Sequence, residues 1–143
     1  MFIGEYQHSL DIKGRIAIPV RFRAGLNGGA IITRGLDHCL FLFDTVAWGE
    51  LAKKLINLPL AQSNSRAFTR LMLAGAMEVD LDVQGRILIP DYLRKYATLE
   101  SRVVVTGLYN RLEIWDQNKW QQYKSATESA SQTIAEKLGE LGI

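Results

Sequence analysis

The chain has 143 residues, 22% of them charged, and a formal net charge of +2. That length suits one compact domain or two small repeats, and a mean hydropathy of -0.01 lies in the ordinary globular range, away from disordered and membrane-spanning classes. So mild a charge does not announce a nucleic-acid binder, and any such role has to rest on where the charges lie.

The N-terminus, Met1 to Asp11, lacks a basic segment followed by an apolar core, so neither export nor membrane insertion is expected. Strands near 4–10 and 15–18 flank D-I-K-G-R, in which Gly14 supplies the positive φ that a tight hairpin connection needs. Pro19 ends the second strand and suits the first turn of a short helix through V-R-F-R-A. A second hairpin is predicted from strands near 30–33 and 39–43, joined by R-G-L-D-H. Its C-L-F-L-F run holds Cys39, the single cysteine, which reads as a buried inert thiol in a protein of the reducing cytosol. Asp44 or Thr45 caps a helix whose Trp48, Leu51, Ala52 and Leu55 form one apolar stripe. After the turn-rich N-L-P-L-A-Q-S-N-S, Ser65 is predicted to cap a further helix through R-A-F-T-R-L-M-L. The pattern then recurs, with strands near 76–81, 86–89, 102–106 and 111–115 and a helix opened by Asp116. In the polar tail, Ile134, Leu138 and Leu141 keep helical spacing, as in a weak helix that orders against a neighbouring surface or frays.

That recurrence is an internal duplication. At an offset of 71, the segments starting at Gly4 and Gly75 share nine of twenty residues: Gly4/Gly75, Leu10/Leu81, Asp11/Asp82, Gly14/Gly85, Arg15/Arg86, Ile16/Ile87, Ile18/Ile89, Pro19/Pro90 and Arg23/Arg94. At an offset of 72, Gly35, Leu36, Leu40, Asp44 and Trp48 meet Gly107, Leu108, Leu112, Asp116 and Trp120. The chain therefore divides into repeat 1 (4–48), a helical linker (49–74), repeat 2 (75–120) and a helical tail (121–143).

Enzymatic and metal chemistry find no footing. His8 and His38 have no partner at metal-ligand spacing, and no G-x-S-x-G elbow, phosphate-binding loop or G-x-G-x-x-G is present. Asp80 and Asp82 read as solvated residues leading into a turn rather than an acid/base pair, and Trp48 and Trp120 as core. No catalytic residue, metal or cofactor is expected.

Charge divided by repeat is more informative than the total. Residues 1–71 carry 9 Lys/Arg against 5 Asp/Glu, a net of +4, whereas residues 72–143 carry 8 against 10, a net of -2. Around the first turn Lys13, Arg15, Arg21 and Arg23 face one acid, Asp11; the second copy has Gln84, Arg86, Tyr92 and Arg94 there. Such a cluster neutralises phosphates, and an arginine at a turn can fork onto a guanine edge. Asp11 and Gly14, with their equivalents Asp82 and Gly85, read as turn-forming residues, the aspartate accepting backbone N–H groups or pairing with Arg15. Arg15 and Arg86 are the candidate DNA contacts; Lys13, Arg21 and Arg23 are either phosphate contacts or a solvated face.

The tandem D-x-x-G-R-[IV]-x-[IL]-P segments, Asp11 to Pro19 and Asp82 to Pro90, resemble those of the MraZ family of bacterial transcription regulators. The M-F-x-G start and the L-x-[IL]-[FW]-D segments at Leu40 and Leu112 resemble it too, over Met1 to about Tyr123. The resemblance implies an α+β, mainly β fold of two AbrB-like swapped-hairpin barrel halves in one chain. It also implies a cytoplasmic, nucleoid-associated homo-oligomeric ring that binds double-stranded DNA at short direct promoter repeats and represses its own division and cell-wall gene cluster. Neither a membrane nor a small-molecule substrate is expected as partner. The alternative is an AbrB-type protein-interaction module, antitoxin-like or scaffolding.

Overall fold

The structure, a computed structural model, describes residues 1–142. Among these residues eight strands form two sheets: β1 (Phe2–Ser9), β2 (Arg15–Ala17), β3 (Ala30–Arg34), β4 (Leu40–Asp44), β5 (Met77–Val79), β6 (Arg86–Leu88), β7 (Arg102–Tyr109) and β8 (Leu112–Asp116). Six make an antiparallel sheet in the order β1-β7-β8-β4-β3-β5, and β2 and β6 make a separate two-stranded ribbon. The helices are α1 (Val20–Arg23), α2 (Thr45–Ile56), α3 (Ser63–Thr69), α4 (Asp91–Tyr96), α5 (Gln117–Ser129) and α6 (Ser131–Leu138).

The first pair of strands in each repeat is not a simple hairpin. The D-I-K-G-R turn does close, with the Asp11 N–H donating to the Arg15 carbonyl at 2.9 Å. Beyond it the strands part: β1 pairs with β7, β2 with β6, and β5 with β3. Each repeat thus supplies strands to the other, the swapped arrangement that the resemblance implied. The exchange is related by a pseudo-twofold axis, because residues equivalent under the duplication stand opposite each other: Ile16 faces Ile87 in the ribbon, and Phe41 faces Glu113 where β4 meets β8.

Burial on both faces explains why β4 is a continuous apolar run rather than an alternating one. Leu40 and Leu42 join the core between the large sheet and the ribbon, with Ile16, Ile18, Phe22, Ile87, Ile89 and Leu93. Cys39, Phe41 and Phe43 face the opposite way, into a second core with Leu55, Met72 and Trp115. The layers are ribbon with α1 and α4, then sheet, then the longer helices. Burial pushes the Cys39 thiol far above its ordinary value, as an inert thiol requires.

Asp44 and Asp116 cap α2 and α5, accepting from the N–H groups of Ala47 at 2.7 Å and Lys119 at 3.3 Å. Ser65 is not a cap: α3 begins at Ser63 behind Gln62, which makes no side-chain capping bond, and Arg70–Ala74 continues as a π-helical turn. Helix α2 runs through the expected boundary at 48/49, and α5 through that at 120/121. Helices α5 and α6 carry the chain to Leu138; α5 is tied to β1, as the Trp120 indole N–H and the Lys124 ammonium both meet the Glu5 carboxylate, the latter at 2.9 Å. That pairing holds Glu5 below its ordinary pKa, with Lys124 the larger influence and Trp120 the second.

Candidate nucleic-acid interface

Strand alternation sets which residues of the ribbon face outward. Ile16 and Ile87 are fully buried beneath it, so Arg15 and Ala17, with their cross-strand partners Leu88 and Arg86, share the opposite, solvent-facing side. The structure thus brings Arg15 and Arg86, 71 positions apart in the chain, onto one face, at diagonal ladder positions about 7–8 Å apart.

Each arginine is held by its own turn. The Asp11 carboxylate accepts the backbone N–H groups of Lys13 at 2.9 Å and Arg15 at 2.8 Å through Oδ1, while Oδ2 accepts Arg15 Nε at 2.8 Å. Asp82 repeats this with Gln84 N at 2.9 Å, Arg86 N at 2.9 Å and Arg86 Nε at 2.8 Å. Both readings of the turn aspartate therefore hold at once. The backbone N–H of Arg15, followed by its side chain, keeps the Asp11 carboxyl below its ordinary value, and Arg86 does the same for Asp82. Because the carboxylate takes Nε, the two terminal amino groups of each guanidinium have no protein partner among the described residues. That leaves an oriented two-pronged donor, the form that matches the O6/N7 edge of guanine or a phosphate.

The remaining candidates divide. Lys13 and Arg21 are exposed. Arg23 donates from Nε to its own Ile18 carbonyl at 2.8 Å, and its side chain closes over Gly85, where a Cβ would stand 2.3 Å from Nε. Arg94 mirrors it, bonding the Ile89 carbonyl at 2.7 Å and covering Gly14. Each repeat therefore clasps the turn of the other. Reciprocal backbone bonds reinforce the clasp, Ile89 N–H to the Gly14 carbonyl and Ile18 N–H to the Gly85 carbonyl, both 2.9 Å. Sequence reasoning missed this role for Arg23 and Arg94; the matched Gly and Arg positions were the available signal, but only the swapped fold joins them. Copy 2 also neutralises the position of Arg21, since the Tyr92 hydroxyl donates to the Gly75 carbonyl at 2.8 Å.

Among the described residues no cluster of His, Cys, Asp and Glu could hold a metal ion, and no helix is long and apolar enough to cross a membrane. His8, half-buried in β1, lies below its ordinary pKa because burial, and secondarily the Arg23 charge, disfavour its protonation.

Comparison with known proteins places the same duplication in a family. The family model described as "MraZ protein, putative antitoxin-like" matches twice, over residues 1–71 and 72–140. Among curated relatives named transcriptional regulator MraZ, that of Acetivibrio thermocellus is 50% identical over 143 residues, covering all of both chains. That of Natranaerobius thermophilus is 48% identical over the same full lengths, and that of Carboxydothermus hydrogenoformans 47% identical over 138 residues, 96% of each chain. With the tandem turn, the swapped strands and full-length similarity in agreement, the chain belongs to the MraZ family.

Proposed function

We propose that this chain is a sequence-specific, double-stranded DNA-binding transcription regulator that reads the major groove with the β2–β6 ribbon. The observation that carries the reading is the pair of carboxylate-oriented arginine forks, Arg15 and Arg86, on the outer face of a two-stranded ribbon. A B-DNA major groove is about 12 Å wide and admits such a ribbon, and strand-built readers are an established alternative to recognition helices. Arg15 is the principal reader. Lys13 and Arg21, present only in the basic repeat, supply phosphate contacts, and the part of Arg23 not engaged in the clasp adds positive potential. Asp11, Gly14, Asp82 and Gly85 shape the turns.

The targets are short direct repeats upstream of the chain's own gene, in a division and cell-wall cluster that it represses within the nucleoid. The chain acts as a homo-oligomeric ring. Head-to-tail packing suits direct repeats and closes when its rotation permits; identical readers on one ring turn later contacts into intramolecular ones, with a gain of about 10²- to 10⁴-fold.

A gel-shift titration with the fragment upstream of the gene tests this. Arg15→Ala removes one forked contact per subunit, about 1–3 kcal/mol, and is expected to weaken binding roughly ten- to a hundredfold, with log affinity falling linearly with log salt. An Arg15→Ala protein that binds as tightly as the parent overturns the assignment. A co-purifying acidic protein, without nucleic acid at low salt, would instead make the arginines a protein-docking surface.

A further inference from the structure

Ile12 and Val83 hold equivalent positions at the tips of the two turns, and both stand wholly in solvent, with relative exposures of 102% and 104%. Nothing in the fold asks for an aliphatic side chain there. Turn closure is carried by the Asp11 and Asp82 carboxylates, by backbone bonds and by the glycines, and neither tip packs on either core. Polar residues are the usual occupants of such a position, yet the duplication places a β-branched aliphatic at both.

Their surroundings narrow what they meet. Ile12 lies between Asp11 and Lys13, and Val83 between Asp82 and Gln84, so each is an apolar point flanked by polar or charged residues and next to an arginine fork, a setting that favours a charged partner over a bilayer. Each tip adjoins one arginine fork. The rungs from Gly14 to Ile18 span about 13 Å at roughly 3.3 Å per residue, which sets the tips at opposite ends of the ribbon. A partner matching this layout is anionic, offers forked acceptors and carries single methyl groups close to them. The major-groove edge of duplex DNA has all three, the methyl being the C5-methyl of thymine.

We infer that Ile12 and Val83 are specificity residues that contact thymine methyl groups on either side of the arginine-read bases. This rests on the DNA-binding reading above and assigns base preference to positions outside the charged cluster. It makes the tips selective for thymine near the contacted purines and near-neutral for phosphate affinity.

The test uses the full chain, an Ile12→Ser/Val83→Ser variant and two forms of the upstream fragment, one with thymine and one with deoxyuridine, which pairs identically but lacks the methyl. Full exposure of both residues means that thermal unfolding should match the parent. The parent is expected to bind the deoxyuridine fragment about fourfold more weakly for each contacted methyl, the worth of one buried methyl-sized group. The variant should bind the thymine fragment as weakly as the parent binds the other, and be indifferent to methyl removal. A parent that binds both fragments equally, or a variant that keeps the full methyl sensitivity, overturns the inference while leaving the arginine reading intact. A parent that binds neither fragment overturns both. A variant whose subunit number changes in native mass spectrometry, with methyl sensitivity unaltered, assigns the tips to contacts between copies and likewise overturns it.

Discussion

Gly14 combines two demands that only glycine can satisfy. Its φ is 85°, and a Cβ would stand 1.6 Å from an amino group of Arg94. Alanine there incurs about 1–2 kcal/mol for the left-handed backbone, and it also displaces an arginine whose bond to a backbone carbonyl contributes about 1.5–3 kcal/mol. Gly14→Ala should therefore lower unfolding stability by roughly 2.5–5 kcal/mol. Gly28→Ala, where nothing lies within 4 Å, should stay within about 0.5 kcal/mol of the parent. Urea titration measures both. In the Gly14→Ala/Arg94→Ala double variant the steric part is relieved and the backbone part remains, so the costs should combine less than additively. Strict additivity would mean that Arg94 does not clasp this turn. The demand for glycine was legible in D-x-x-G-R, because tight turns need positive φ; the arginine over it was not, since Arg94 lies 80 positions along the chain and meets Gly14 only after the repeats exchange strands.

At the scale of the element, each turn is a small device for aiming one arginine, and its carboxylate sets how it answers acid. Asp11 and Asp82 have folded pKa values below the ordinary 3.8, chiefly through the backbone N–H groups of Arg15 and Arg86. A depressed acid stabilises the folded turn fully above its unfolded value, and that stabilisation is lost as pH falls through the lower folded one. The Lys13, Arg15, Gln84 and Arg86 amides should thus keep constant protection against hydrogen exchange, corrected for intrinsic rates, from pH 8 to about 5, and lose it only in stronger acid. Protection that falls between pH 7 and 5 would show that another group holds the turns. Strand existence was readable from the sequence, since apolar patterning, alternating or continuous, and turn residues mark each segment. Strand partnership was not. Alternation says which side of a strand is buried, and in a duplicated chain β1 and β5 present the same pattern to two nearly equivalent partners, so pairing is chosen by packing of the whole. Arg15 and Arg86 were both recognisable as candidates, but their sharing one face depends on the β2–β6 ladder and hence on that same choice.

At the scale of the molecule the repeats are structurally interdependent. Four of the six strand pairings join one repeat to the other: β1 with β7, β2 with β6, β3 with β5 and β4 with β8. The covalent tie between them is the linker, in which the stretch 57–62 separating α2 from α3 is exposed. A protease site placed at Leu60 should therefore be cut without separating the halves, which should co-elute in native gel filtration and part only in denaturant. The pseudo-twofold axis makes a sharper statement about the halves expressed separately. Residues 1–71 alone can rebuild the interface with a second copy, Ile16 meeting Ile16 and Phe41 meeting Phe41, both apolar pairs. Residues 72–143 cannot do so equally well. Their symmetric pairing sets Glu113 against Glu113 at a position that is buried in the intact chain, where Arg111 beside it balances the charge and the Trp115 indole donates a hydrogen bond, and directly opposed like charges destabilise a ladder. Sedimentation of the two halves should accordingly give a dimer for the first and a weaker or absent dimer for the second. Replacing Glu113 by Phe, its counterpart in the first repeat, should restore dimerisation to the second half; failure to do so would mean that the axis, rather than the charge upon it, has been misplaced.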